Sequence, residues 1–246
     1  MEVQMASETD YSKTIKQRIL EMGADLVGIA DLEPLRELEF IEPADLLEPF
    51  TRAISIAVQL PVSAFEMIDD QPTPIYSNIY NTANRLLDEL AFKTAVTLQK
   101  DGHNSLPVPA SQLLDWDKLY GSISHKAVAR VAGLGWQGKN LLLITPQYGS
   151  RVRLVTVLTN APLQADTPME NRCGKCMQCR DACPVGAIKG VSTKDDYSTR
   201  EEALHLDRCS KKLIEEFAKL DGIGSPICGI CINACPYGKK VKGKKV

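Results

Sequence analysis

The sequence predicts an α/β domain followed by a small α+β domain organised around bound metal. Helical and strand-like apolar patterns alternate from Tyr11 to Leu158, and all eight cysteines fall between Cys173 and Cys235. A polar, Pro-containing stretch, APLQADTPMENR, lies between these regions and places the boundary near Gln164. The expected division is therefore 1–164, 165–238 and a basic tail over 239–246.

From Tyr11 onward, Ile15, Ile19, Leu20 and Met22 form an apolar stripe at helical spacing that ends at Gly23. LVGIA (Leu26 to Ala30) and ISIAVQL (Ile54 to Leu60) read as short buried strands, the second stopped by Pro61. The longest helical pattern runs from Tyr80 to Lys100 and ends before Asp101-Gly102. A further helix is expected over about His125 to Ala132, with Ser122 or Ser124 as its N-cap. LLLI (Leu141 to Ile144) and VRLVTVL (Val152 to Leu158) read as core strands flanking the YGS turn at Tyr148 to Ser150. The second domain has too little apolar sequence for a large core, so metal is expected to supply much of its stability. Like charges in the closing KKVKGKKV repel, which predicts disorder there.

Of 246 residues, 44% are hydrophobic and 24% charged, ordinary values for a soluble globular chain. A net charge of −2 gives no global attraction to nucleic acid or an acidic membrane. The opening MEVQMASETDYSK has no apolar h-region, and no run of about 18 apolar residues occurs. The expectation is a cytoplasmic protein with no membrane contact, where clustered thiols read as metal ligands rather than disulfides.

Cys173-Gly-Lys-Cys176-Met-Gln-Cys179-Arg-Asp-Ala-Cys183-Pro184 is the bacterial ferredoxin run C-x2-C-x2-C-x3-C-P. Three thiolates three residues apart let one loop wrap three corners of an iron–sulfur cube. The fourth cysteine is expected to open a helix, with Pro184 at its first position. A second, altered half follows: Cys209 alone, then Cys228-Gly-Ile-Cys231-Ile-Asn-Ala-Cys235-Pro236. In two-cluster ferredoxins the fourth cysteine ligates the other cluster. Crossing those residues gives cluster one as Cys173, Cys176, Cys179 and Cys235, and cluster two as Cys183, Cys209, Cys228 and Cys231. Zinc ribbons use C-x2-C pairs without the triple run, so two ferredoxin-like [4Fe-4S] clusters are the reading.

The stretch GLGWQGKN, Gly133 to Asn140, has the spacing of a phosphate-binding loop. A nucleotide loop needs a strand before its glycines and a helix after them. Here the helical SHKAVARVA precedes and the strand-like LLLI follows, so a phosphate loop is not expected. Gly133 reads as a left-handed helix cap. The remaining glycines, with Trp136, Gln137, Lys139 and Asn140, read as backbone approaching a ligand closely.

GLGWQGK, an apolar strand, YGS, a second strand, TNAPL and the two cysteine runs with Cys209 between them together resemble the epoxyqueuosine reductase family. The opening IKQRILEMGADLVGIADLEPL is also similar, so the resemblance covers nearly the whole chain. It implies a nitroreductase-like, corrinoid-binding first domain and two [4Fe-4S] clusters that pass electrons to the cobalt of cobalamin. By resemblance, Gly135, Gly138, Lys139, Asn140 and Ser150 would line the corrinoid pocket, with Arg52 a further candidate. His125 is a possible cobalt ligand.

Two departures from the family pattern shape the expectations. The family has an Asp, its proton donor, in a D-S-A-P-like segment, whereas SLPVPASQ here holds no acid. Asp115 and Asp117, shortly after, are the candidate catalytic acids. The family also carries a helical-repeat extension that grips tRNA, whereas this sequence ends at Val246, ten residues after Pro236. The expectation drawn from this is that tRNA is not the substrate. A small molecule or a corrinoid protein would take its place, with reduction by an external low-potential donor such as ferredoxin or flavodoxin. A ferredoxin-type electron carrier and a reductive activase of a corrinoid protein remain as alternatives.

Overall fold

The computed structural model describes residues 7–38, 40–116, 119–194 and 196–239. Asp117 and residues 240–246 of the basic tail lie outside them. The chain divides into two compact units that interleave in sequence: 1–58 with 83–134 and 153–169, and 59–82 with 135–152 and 170–246. The expected boundary at Gln164 falls inside the first of these, because the polar stretch is packed rather than free. Leu163 is fully buried, and Asp166 is tied by backbone and side chain to Ile29.

In the first unit, α1 spans Glu8–Glu21, and Ser7 caps it by accepting from the Asp10 N–H at 3.2 Å. Its stripe buries Ile15 and Ile19 at 1% exposure each, worth about 1.5–3 kcal/mol per side chain. The sheet has the order β1-β2-β6-β3, with β1 Leu26–Asp31, β2 Arg52–Gln59, β3 Ser105–Val108 and β6 Val152–Thr159. β1 runs antiparallel to β2 from Leu26↔Ala57 to Asp31↔Arg52, and β3 antiparallel to β6 from Ser105↔Thr159 to Val108↔Thr156. Near-continuous apolar runs suit β2 and β6, the two central strands. Pro107, which has no N–H to give a ladder, sits on the edge strand β3. The helix α3 spans Pro74–Lys100, starting earlier than Tyr80 because Pro74 fits a first helical turn.

Helix α4, His125–Val131, takes Ser124 as N-cap, its Oγ accepting from the Ala127 N–H at 3.3 Å. Val128, Val131 and Ala132 pack with Ala30, Leu32, Ala53 and Leu158 in one apolar cluster. Gly133 follows with φ +69°, the left-handed cap.

The second unit holds α2, Val62–Glu66, and a two-stranded sheet of β4, Trp136–Gln137, and β5, Leu143–Ile144. LLLI was expected to be a core strand; it contributes only two residues to this ribbon, outside the four-stranded sheet. Short helices α5 (Gln178–Asp181), α6 (Arg200–Ala203), α7 (Leu206–Lys211) and α8 (Ile230–Ala234) carry or flank the cysteines. A π-helical turn over Lys212–Glu216 follows α7. No helix among the described residues is long and apolar enough to cross a membrane.

Candidate functional site

All eight cysteines are free thiols; Cys235 is buried and the other seven are half-buried. Cys183 follows α5 instead of opening a helix, and Pro184 begins a turn. The helix ends there because Pro184 disfavours helical backbone in the residue before it. Cys235 closes α8 in the same manner, ahead of Pro236.

The electrostatic neighbours of each thiol sort them into two groups. Burial pushes the Cys179 thiol up to about 11, helped by Cys173, Cys235 and Cys176. Burial also raises Cys235, and Cys173 and Cys176 act in the same direction. Cys228 is pushed up to about 11 by burial, then by Cys209 and Cys183. Burial also raises Cys231, with Cys228, Cys209, Cys179 and Cys183 as neighbours. The structure thus brings Cys173, Cys176, Cys179 and Cys235 together, and Cys183, Cys209, Cys228 and Cys231 together, with Cys179 and Cys231 in mutual range. A cation bound among such grouped thiols would offset the mutual repulsion of their thiolates, whose protons it must displace. Among the described residues no three side chains converge on one ion. In a cube each thiolate binds its own iron, so such convergence is not needed, and the donor set fits two clusters.

The GLGWQGKN segment faces the first cysteine group. Trp136 is fully buried and packs with Ile144, Cys235, Cys173 and Tyr237, its ring edge-on to Tyr237 at 4.8 Å. The Gln137 carbonyl accepts from Asn171 Nδ2 at 2.9 Å, and Asn171 Oδ1 accepts from the Cys173 N–H at 2.9 Å. Lys139, 2% exposed, donates through Nζ to the carbonyls of Gly174 and Cys176 at 2.9 Å each. Gly135 and Gly138 admit protein rather than ligand: a Cβ at Gly135 would overlap the Ile144 carbonyl, and one at Gly138 would lie 2.7 Å from Ile144 Cγ1. These contacts answer the question the loop poses, for they tie it to the cysteine loop.

Among the other expected corrinoid residues, Arg52 is bound within the first unit, to Asp31 Oδ2 at 3.3 Å and the Leu163 carbonyl at 2.8 Å. Asn140 Nδ2 and Ser150 Oγ are buried with no partner among the described residues. These two orphaned atoms are what remains for a polar ligand, so the residues fit a corrinoid in part. His125 does not offer a ligand nitrogen. Its Nδ1 meets Thr156 Oγ1 at 2.8 Å and its Nε2 the Pro109 carbonyl at 3.0 Å, and burial lowers its pKa to about 4. Asp115 sits in a turn closed by its backbone pairing with Tyr120. A cavity of about 290 Å³ between α1 and α3 is lined by Ile15, Arg18, Met22 and Thr94 among others, and by no expected site residue.

Sequence reasoning missed Arg151. It is 1% exposed and donates through Nη1 to the Ile232 carbonyl at 3.0 Å and the Cys235 carbonyl at 3.4 Å, and through Nη2 to the Tyr237 carbonyl. Its place directly after YGS, entering a buried strand, was the available signal.

Residues 172–238 match the 4Fe-4S double cluster binding domain family. An epoxyqueuosine reductase of Listeria monocytogenes is 40% identical over 124 residues, covering 48% of this chain and 31% of that protein. One of Gloeobacter violaceus is 32% identical over 158 residues, 59% of this chain and 49% of that one. The matches thus span a third to a half of these relatives' length. A solved epoxyqueuosine reductase with an epoxyqueuosine-modified tRNA-Tyr stem loop superposes with a TM-score of 0.59 at 25% identity, over 93% of this chain and 65% of that one. A catabolic reductive dehalogenase in complex with 3-bromo-4-hydroxybenzoic acid superposes at 0.77 and 19% identity, over 96% and 33%, which shows a shared fold. The resemblance to epoxyqueuosine reductases read from the sequence is thus found in sequence and in structure. The expectation against tRNA is corrected by the tRNA-bound structure. That expectation had rested on where the sequence ends, which says nothing about what its site accepts.

Proposed function

We propose that this chain is an iron–sulfur reductase of the epoxyqueuosine reductase type, working with two [4Fe-4S] clusters and a corrinoid on an epoxide-bearing nucleoside of tRNA. The observation that carries it is the sorting of eight thiols into two groups of four within a segment that matches a double-cluster family. In this reading Cys173, Cys176, Cys179 and Cys235 hold one cluster, and Cys183, Cys209, Cys228 and Cys231 the other. Hydrogen bonds such as Ala187 N–H to Cys183 Sγ at 3.2 Å tune the ligands. When bound, the clusters supply single electrons and the corrinoid supplies the metal centre at which the substrate is reduced. A nitroreductase-like, corrinoid-binding region over 1–164, which includes Asn140 and Ser150, belongs to the same proposal.

The protein groups have defined tasks. Removing an epoxide oxygen as water takes two electrons and two protons, so a donor outside the chain and an acid within reach are both required. Asp115 is the acid proposed here. Asn140 and Ser150, whose buried polar atoms lack partners, are the residues proposed to meet the corrinoid. Lys139, Gly135, Gly138 and Arg52 are assigned to holding the protein itself.

Anaerobic reconstitution with iron, sulfide and cobalamin, followed by desalting, tests the reading. About eight irons and one cobalt per chain are expected, with loss of one oxygen from an epoxyqueuosine-modified stem loop under a chemical reductant. Iron without cobalt at excess cobalamin overturns the corrinoid part. Loading with both and an unchanged stem loop overturns the substrate.

A further inference from the structure

We infer that Lys139 and Arg151 make the cluster of Cys173, Cys176, Cys179 and Cys235 the more easily reduced of the two, so that electrons entering the chain collect there. The inference rests on the two-cluster reading and not on the corrinoid.

Both side chains are buried, at 2% and 1% exposure, and both come from the 135–152 segment. They bind opposite stretches of ligand-bearing backbone. Lys139 Nζ holds the carbonyls of Gly174 and Cys176 and reaches Met177 Sδ at 3.7 Å. Arg151 holds the carbonyls of Ile232, Cys235 and Tyr237, and its Nε is buried with no partner among the described residues. Every one of these partners is neutral. Burying a cation against neutral partners is expensive unless an anion lies near. Four thiolates around a cluster are that anion, and adding one electron to the cluster makes it more negative. The two cations therefore favour the reduced form over the oxidised form.

At Cys228, in the other group, the arrangement is different. The cation acting on Cys228 is Lys212, and that ammonium is paired with Glu216 Oε2 at 2.5 Å. A paired, partly exposed charge projects a weaker field than a buried one facing neutral carbonyls. The difference in field separates the potentials of two clusters whose ligands are otherwise alike. Lys139 and Arg151 act through the cluster loops and are positioning residues.

The test is a redox titration of the anaerobically reconstituted full chain, without cobalamin, read by electron paramagnetic resonance. The signal altered by Cys176→Ser identifies the cluster concerned. Lys139→Gln keeps an amide donor and removes the charge. It is expected to lower that midpoint by a tenfold change in the reduction equilibrium or more, 59 mV for a one-electron couple, and to leave the second signal in place. Lys139→Arg, which keeps the charge, should restore the midpoint. Arg151→Gln is the independent variant and must move the same signal in the same direction, so it decides the matter if Lys139→Gln does not load. Unmoved midpoints, shifts on different signals, or an equal loss in Lys139→Arg overturn the inference. A wild-type chain that never binds about eight irons instead overturns the two-cluster reading beneath it.

Discussion

Replacing Gly149 by alanine is expected to cost well over the same replacement at Gly174, although both have left-handed backbones, with φ +60° and +50°. At Gly174 nothing lies within 4 Å of a new Cβ, so the only penalty is that of an L residue in this conformation, about 1–2 kcal/mol. At Gly149 the Cβ would collide with the Tyr237 carbonyl oxygen and lie 3.3 Å from Arg151 Nη2. That carbonyl is backbone and is held by Arg151, so it has little room to retreat. Overpacking adds about 1–3 kcal/mol, bringing Gly149→Ala to about 2–5 kcal/mol. Because Tyr237 lies two residues from Cys235, the strain should also reach the ligand and reduce iron loading. Urea midpoints of anaerobically reconstituted protein, with iron counted on the same samples, measure both effects. Equal losses in the two variants would refute the steric reasoning.

Three further outcomes are expected. Burial holds His125 near 4 against 6.5 for an ordinary histidine, so between those values only the unfolded chain binds the proton. Stability is unaffected above pH 6.5 and falls as pH drops towards 4, by at most about 3 kcal/mol. His125→Gln should flatten that slope in urea titrations run across the range. Asp166 accepts from the Ile29 N–H at 2.8 Å and meets Lys16 Nζ at 2.6 Å in a partly exposed pair. Asp166→Ala should therefore lose about 1.5–3 kcal/mol for the charged hydrogen bond and under about 1 for the ion pair, and Lys16→Ala alone, measured beside it, should lose only the smaller part. Asp115→Asn should reduce turnover of the modified stem loop about 10²–10⁴-fold with iron and cobalt content unchanged; undiminished turnover removes Asp115 as the acid.

Much of the candidate site was legible because its determinants are local. The spacing of Cys173, Cys176, Cys179 and Cys183 encodes a loop that wraps a cube, and no distant residue is needed to read it. The order of α4, the Gly133 cap and the following ribbon was equally readable, and it excluded a phosphate loop. What the sequence could not convey is direction. Lys139 and Asn140 are adjacent and equally polar, yet one points its ammonium at the cysteine loop while the other leaves Nδ2 without a partner. LLLI was mistaken for a core strand because four apolar residues look alike in a sheet or in a short ribbon. The polar APLQADTPMENR reads as a linker by composition, and only the tertiary contacts of Leu163 and Asp166 reveal that it is docked.

The interleaving of the two units has a practical side. A gene fragment beginning at residue 165 would encode every thiol and look like a small ferredoxin ready for expression by itself. It would leave behind Trp136, Lys139 and Arg151, and with them the apolar wall beside Cys173 and Cys235 and both backbone clamps. Supplying a peptide of residues 135–152 to such a fragment would ask whether cluster assembly can be complemented in trans. The cysteine spacing marks where iron is to be bound, and a segment some thirty residues upstream keeps that place shaped for it.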